Sequence, residues 1–112
     1  MIPINFRLLC GKIINTMDED YKFYIISGRV TDSNAKPVEY VTVTLKNADC
    51  RHETEIIASC RTNSKGEFYF EESLKIGLKL RLDIDEPGNG FRPDYRDFEV
   101  GTRDEYHINF ML

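Results

Sequence analysis

The sequence predicts an all-β protein, a single antiparallel Greek-key sandwich of about seven strands, and three observations carry that expectation. Apolar residues recur at every second position in short runs, as in Leu78, Leu80, Leu82 and Ile84 between Lys79, Arg81, Asp83 and Asp85, which is the pattern of strands with one buried face. Turn-forming clusters separate these runs at roughly 8–12-residue spacing. No stretch sustains a helical period of apolar residues.

Residues 1–20 show no sustained period, and Met17-Asp18-Glu19-Asp20 marks a seam between an N-terminal arm and a domain over residues 21–112. The arm is expected to add a strand, pack on the sheet or stay loose. From Tyr21 a β-rich run extends to Val30, with Gly28 inside it as a bulge or a close-packing point. Residues 32–37 form a turn by composition, and Pro37 starts the next segment because it cannot donate within a ladder. Val41, Val43 and Leu45 alternate with Thr42, Thr44 and Lys46 as a half-buried strand. Residues 47–54 are polar and loop-like. The run 56–61 reads as a strand of ambiguous register, since Ile56 and Ile57 are adjacent.

The sharpest reversal is Thr62-Asn63-Ser64-Lys65-Gly66-Glu67-Phe68-Tyr69-Phe70. It reads as a β-hairpin turn whose return strand points Phe68 and Phe70 inward and closes at Glu71-Glu72-Ser73. After the Leu78–Ile84 run, two prolines and two glycines make residues 86–94 a long loop. Phe98 and Val100 mark a short strand, residues 101–104 turn, and Tyr106, Ile108, Phe110 and Leu112 form a last strand.

The totals narrow the function classes. A chain of 112 residues fits one domain, and 41% hydrophobic with 30% charged residues is a globular composition. A formal charge of −4 without a Lys/Arg run offers no footprint for nucleic acid. No apolar run suits a signal peptide or a membrane span. The three cysteines, Cys10, Cys50 and Cys60, are an odd number, which argues against a disulfide-stapled scaffold and for a reducing compartment, although Cys50 and Cys60 can pair if their loop folds back.

Several landmarks resemble one family. Ile26-Ser27-Gly28-Arg29-Val30-Thr31-Asp32, then Lys36-Pro37-Val38 leading into Val41-Thr42-Val43, then Thr62 to Phe68, then Gly90-Phe91 look like the carboxypeptidase regulatory-like domain over about residues 22–112. The resemblance implies a transthyretin-like, prealbumin-type sandwich. It also implies a non-catalytic accessory module of the kind appended to peptidases, outer-membrane receptors and surface proteins, especially in bacteria, and so points towards export or the cell surface. Asp32 and Asn63 are expected to bond backbone amides within their turns, with Pro37, Gly66 and Gly90 as the other structural turn residues. Two departures bear on loop shape. Ala35 stands where a glycine is expected, so Asn34 is expected to supply the left-handed position, and Tyr40-Val41 replaces a frequent Gly-Ala pair.

No catalytic constellation is evident. His52 and His107 are the only imidazoles, and Cys50-Arg51-His52 lacks zinc-ligand spacing. The acidic residues Asp83, Asp85, Glu86, Asp94 and Asp97 lack calcium-loop spacing and read as a solvated patch. Neither metal nor cofactor is expected. A transthyretin-like hydroxyisourate hydrolase is not expected, because the run Tyr106 to Leu112 lacks the arginine and serine such an enzyme would carry. A Lys22–Asn109 isopeptide bond of the type in related adhesin repeats is opposed by alternation, which turns Asn109 outward. The expected function is a binding or assembly module for protein–protein contacts, by self-association or with a partner, with a carbohydrate-binding accessory module as the alternative. The candidate binding loop carries Phe91 and Arg92 beside Tyr95, although Phe91 is the kind of aromatic that plugs the end of a sandwich.

Overall fold

The structure, a computed structural model, describes residues 6–9, 12–15, 21–49, 55–88 and 90–112. Phe6–Leu9 (β1) pairs antiparallel with Lys12–Asn15 (β2) as a two-stranded sheet. The N-terminal segment therefore contains regular pairing that its irregular period did not announce. The charged seam at 17–20 lies outside the described residues, as do Cys10, Cys50 and His52.

Two sheets make the sandwich. The first is built on Tyr21–Thr31 (β3), flanked by Glu67–Lys75 (β6) on one side and by Glu105–His107 (β9) and Phe110–Met111 (β10) on the other. The second has the order Glu55–Arg61 (β5), Thr42–Asn47 (β4), Lys79–Ile84 (β7) and Asp94–Glu99 (β8). Between them lie Tyr24, Ile26, Val30, Phe68, Phe70, Leu74 and Phe110 from the first sheet against Val43, Leu45, Leu80, Leu82 and Ile84 from the second, all buried. Each contributes on the order of 1.5–3 kcal/mol by leaving water, and this common interior decides which face of each strand turns inward.

Several expectations are corrected. The Thr62–Gly66 turn does not make a hairpin: β5 pairs with β4 and β6 pairs with β3, so the turn arches from one sheet to the other. The local reversal is closed as anticipated, with Asn63 Oδ1 accepting from the backbone N–H groups of Lys65 (2.9 Å) and Glu67 (3.0 Å). What steers the chain across is Thr62, whose hydroxyl accepts from Val41 N (2.9 Å) and donates to the Val38 carbonyl (2.7 Å). The ambiguity at Ile56 and Ile57 is resolved by a bulge, since Lys46 faces Ile56 while Leu45 faces Ala58. The extra residue Ile57 packs on the core while Ile56 stays exposed.

β6 runs on to Lys75 rather than closing at Ser73, because β3 offers it partners as far as Tyr21. β8 starts at Asp94, inside the expected loop, because Ile84 pairs there. The last strand is parallel to β3 and is split, making eight strands in the sandwich among the described residues. Alternation carries no information about strand direction. The direction follows from where the chain re-enters: Ile25 N donates to the Asp104 carbonyl at 2.9 Å, Tyr24 Oη donates to the Gly101 carbonyl at 2.5 Å, and Gly101 N donates to Tyr106 Oη at 2.7 Å.

Gly28 is the close-packing point. Ser27 faces His107 and Val30 faces Phe110 without a change of register, and between them the Ile108 backbone presses onto position 28, where a Cβ would lie 1.6 Å from the Ile108 carbonyl oxygen. At the break, Asn109 Oδ1 accepts from Arg29 N at 3.0 Å and replaces a ladder bond. Lys22 is engaged elsewhere, with Asp104 at 2.6 Å and the Thr102 carbonyl at 2.5 Å, so it and Asn109 do not form a pair.

The first turn is held by Asp32 Oδ1, which accepts from Asn34 N (2.8 Å) and Lys36 N (3.0 Å). The left-handed residue is Ala35 itself at φ 64°, not Asn34. Tyr40 also keeps a left-handed backbone, at φ 61°, a conformation that costs a non-glycine residue roughly 1–2 kcal/mol. Pro37 makes a bridge to Thr31. Gly66, at φ 73°, docks where a Cβ would meet the Val30 carbonyl oxygen at 2.4 Å and Pro37 Cβ at 3.1 Å. The first turn and the central turn are thus packed together.

Candidate functional site

Of the residues expected to form one binding loop, Phe91 and Arg92 share a surface and Tyr95 stands on another. Gly90 is left-handed (φ 78°) and Phe91 N donates to the Gly88 carbonyl at 3.0 Å, a turn that lays Phe91 half-buried against the core. Phe91 acts as a plug, in a shallow depression shared with Arg92, Pro93, Met111 and Leu112. Tyr95 stands instead on the outer face of the second sheet, where the Arg81 guanidinium covers its ring at 4.2 Å from the centroid. One face of that ring is therefore taken, and Phe91 and Tyr95 do not make a shared platform.

The acidic residues are likewise divided. Asp97 receives two hydrogen bonds from Arg81, at 2.7 and 3.0 Å. Lys46 Nζ lies 2.7 Å from Asp83 and 3.3 Å from Asp85, and the bond to Asp83 holds the ammonium above the usual lysine range. Among the described residues no group of three or more His, Cys, Asp or Glu side chains is placed to hold a metal ion.

The Arg81 fork holds the Asp97 carboxyl below the usual carboxylate range. A lowered folded-state pKa means that the stabilisation is present above the unfolded value near pH 4 and is lost as pH falls through the lower folded value. Both partners are substantially exposed, so Asp97→Asn is expected to cost no more than about 1 kcal/mol at neutral pH and low salt. In chemical-denaturation titrations the difference from the parent protein should shrink below about pH 4.

The surface that gathers functional side chains is the outward face of the first sheet. β3 presents Phe23, Ile25, Ser27 and Arg29 along its centre, because Tyr24, Ile26, Gly28 and Val30 are turned inward. Register then sets their neighbours. Ile25 is flanked by Glu71 and Glu105, Ser27 by Tyr69 and His107, and Arg29 faces Glu67 at 3.8 Å. Phe23 is 71% and Tyr69 55% exposed. Desolvation, with the negative charge of Glu71 and Glu105, raises the Tyr69 phenol above its ordinary range. Past Tyr69 the face dips into a depression of about 530 Å³ towards β5, lined among others by Ser27, Cys60, Arg61, Glu67 and His107.

His107 is on an exposed strand position, as alternation predicts, with Nδ1 3.3 Å from Ser27 Oγ. No carboxylate among the described residues bonds the ring, so the pair lacks the third group that orients a general base. Cys60 is a free thiol whose pKa is pushed up by burial, which keeps it protonated rather than nucleophilic. Phe23, Ile25, Tyr69 and the flanking glutamates were not singled out from the sequence. The alternating row Phe23, Ile25, Ser27 was visible there, but nothing local showed that its outer face would stay open.

The architecture defines a transthyretin-like β-sandwich, all strands and no helix among the described residues. The sequence profile of the carboxypeptidase regulatory-like domain matches residues 25–112, and the chain belongs to that family. Among solved structures it is similar to 5-hydroxyisourate hydrolase of Klebsiella pneumoniae, with TM-score 0.62 and 25% identity over 79% of this chain and 88% of the other. It is also similar in fold to an (S)-allantoin synthase and to the 3-chlorocatechol 1,2-dioxygenase of Rhodococcus opacus 1CP, each with TM-score 0.60 and 14% identity over 85% of this chain. Those alignments cover 42% and 60% of the respective chains. No curated protein sequence matches significantly.

Proposed function

We propose that the chain is a non-catalytic binding or assembly module that engages a protein partner through the outward face of the first sheet. The observation that carries this reading is the exposure of Phe23 and Tyr69 around a half-buried Ile25 that has a glutamate on each side. Exposed aromatics on a sheet face are suited to burial by a partner, and the negative flanks favour one that brings lysine or arginine side chains. A second acidic copy of this chain fits those flanks poorly.

Membership in a regulatory-like family and the unoriented Ser27–His107 pair both support a role without catalysis. The hydrolase, synthase and dioxygenase named above share the sandwich, but a fold does not carry its chemistry with it.

The test is site-specific photocrosslinking in the producing cell, with benzoylphenylalanine in place of Phe23, Tyr69 or, as a control on the other sheet, Tyr95. Discrete adducts are expected from positions 23 and 69 and none from 95, and Ile25→Lys should abolish them. Adduct mass distinguishes a partner from a second copy. Absence of adducts at 23 and 69, or the same products from all three positions, would overturn the reading.

A further inference from the structure

On the other sheet, Tyr40 combines two features that oppose each other. Its backbone is left-handed at φ 61°, a region in which a bulky residue is a genuine outlier, yet its side chain is 70% exposed. No burial of the ring offsets the strain. Strain of this kind persists only where the surroundings impose it, and here they do. Tyr40 N donates to the Thr62 carbonyl at 3.1 Å, Thr62 N donates to the Val41 carbonyl at 2.9 Å, and the Thr62 hydroxyl ties Val41 N to the Val38 carbonyl. The ring is presented on a backbone that cannot relax.

Beside it is a depression of about 420 Å³ lined by Tyr40, Thr42, Thr44, Arg61, Asp85 and Glu86. Register explains the composition: Thr42 is an exposed outer-face position of β4 and Thr44, on the same face, is largely buried beneath its neighbours, Arg61 faces Thr42 across the β4–β5 pair, and Asp85 and Glu86 follow the end of β7. Among the described residues neither Arg61 nor Glu86 has an ion-pair partner, and Asp85 keeps most of its surface beyond its contact with Lys46. The wall thus offers a guanidinium that only donates, two carboxylates that only accept, and the exposed Thr42 hydroxyl, which does both.

We infer that this depression binds a neutral saccharide, with the Tyr40 ring as a stacking platform for one sugar face. A sugar hydroxyl donates and accepts at once, so neighbouring hydroxyls satisfy both the arginine and the carboxylates, and an aromatic ring complements the C–H face of a pyranose. A divalent cation is opposed by Arg61 beside the carboxylates, and an anion is opposed by Asp85 and Glu86. The site shares Arg61 with the depression beside the proposed protein-binding face, but Tyr40 belongs to this site alone, so Tyr40→Gly tests it without touching the other.

The test is a titration of the isotope-labelled full chain, followed by amide NMR, with maltohexaose, cellohexaose, mannohexaose and N-acetylchitohexaose in turn. At least one is expected to shift the amides of Tyr40, Thr42, Thr44 and Arg61 saturably. Tyr40→Gly removes the ring and relieves the backbone, so it should raise the thermal midpoint while weakening binding at least about tenfold. Tyr40→Phe, which keeps the ring, should bind within a few-fold of the parent, and Arg61→Met should bind more weakly. If none of the four sugars shifts these amides, or if Tyr40→Gly binds as tightly as the parent, the inference fails.

Discussion

Gly28→Ala is expected to destabilise the sandwich by about 3 kcal/mol, near the upper end of what one added methyl costs a packed interior. The added Cβ would fall 1.6 Å from the Ile108 carbonyl oxygen and 2.6 Å from its carbon, with Phe68 Cζ at 2.8 Å on the other side. Phe68 is itself buried against Phe70 and Phe110, so relief has to come from the last strand moving away from β3. That movement breaks the Ile108 N to Ser27 carbonyl bond (2.8 Å) and draws Asn109 from Arg29 N. A fall in thermal midpoint of more than about 10 °C is the expected reading for a domain of this size, with hydrogen exchange accelerating first at Ile108 and Leu112. Ser27→Ala, one position away and facing outward, should change the midpoint by a degree or two at most. A Gly28→Ala midpoint close to the parent's would show that the last strand has room to yield.

Thr62→Val should come next in magnitude. Valine keeps the shape and loses the hydroxyl, leaving the Val41 N–H and the Val38 carbonyl without their partner in a segment where Val38, Val41 and Thr62 are all buried. An unsatisfied buried polar group costs about 1–3 kcal/mol, so two of them give an expected loss of about 2–4 kcal/mol in chemical denaturation. Thr62→Ser keeps both bonds and should lose less than about 1.5 kcal/mol, the cost of one methyl and its small cavity. Equal losses for valine and serine would mean that the methyl, not the hydroxyl, holds the arch together.

These two positions also show where reading from sequence alone runs out. The pattern around Gly28 called for a bulge or a close approach, and only the placement of Ile108 chose between them. Thr62 looked like the first residue of a hairpin turn, whereas its side chain is the tie that sends β5 and β6 into different sheets. In the candidate site, Tyr95 and Phe91 are close in sequence and apart in space, because β8 begins at Asp94 and turns Tyr95 to the outer face while Phe91 plugs the end. Glu71 and Glu105 are far apart in sequence and meet around Ile25 through strand pairing.

By itself the sequence determined the all-β class, the inward faces of β4, β6 and β7, the Asp32 and Asn63 turns and the family. Each of these rests on side-chain alternation or on hydrogen bonds that close within a few residues, which any stretch of chain carries with it. Only the tertiary structure decided the partner of each strand, the parallel course of the last one, the bulge at Ile57, the left-handed backbone of Ala35 and Tyr40, and which outward faces remained open. Those outcomes depend on contacts between residues up to eighty positions apart, as Arg29 and Asn109 are. Such contacts form only when both sheets close over a common core, so no local pattern specifies them.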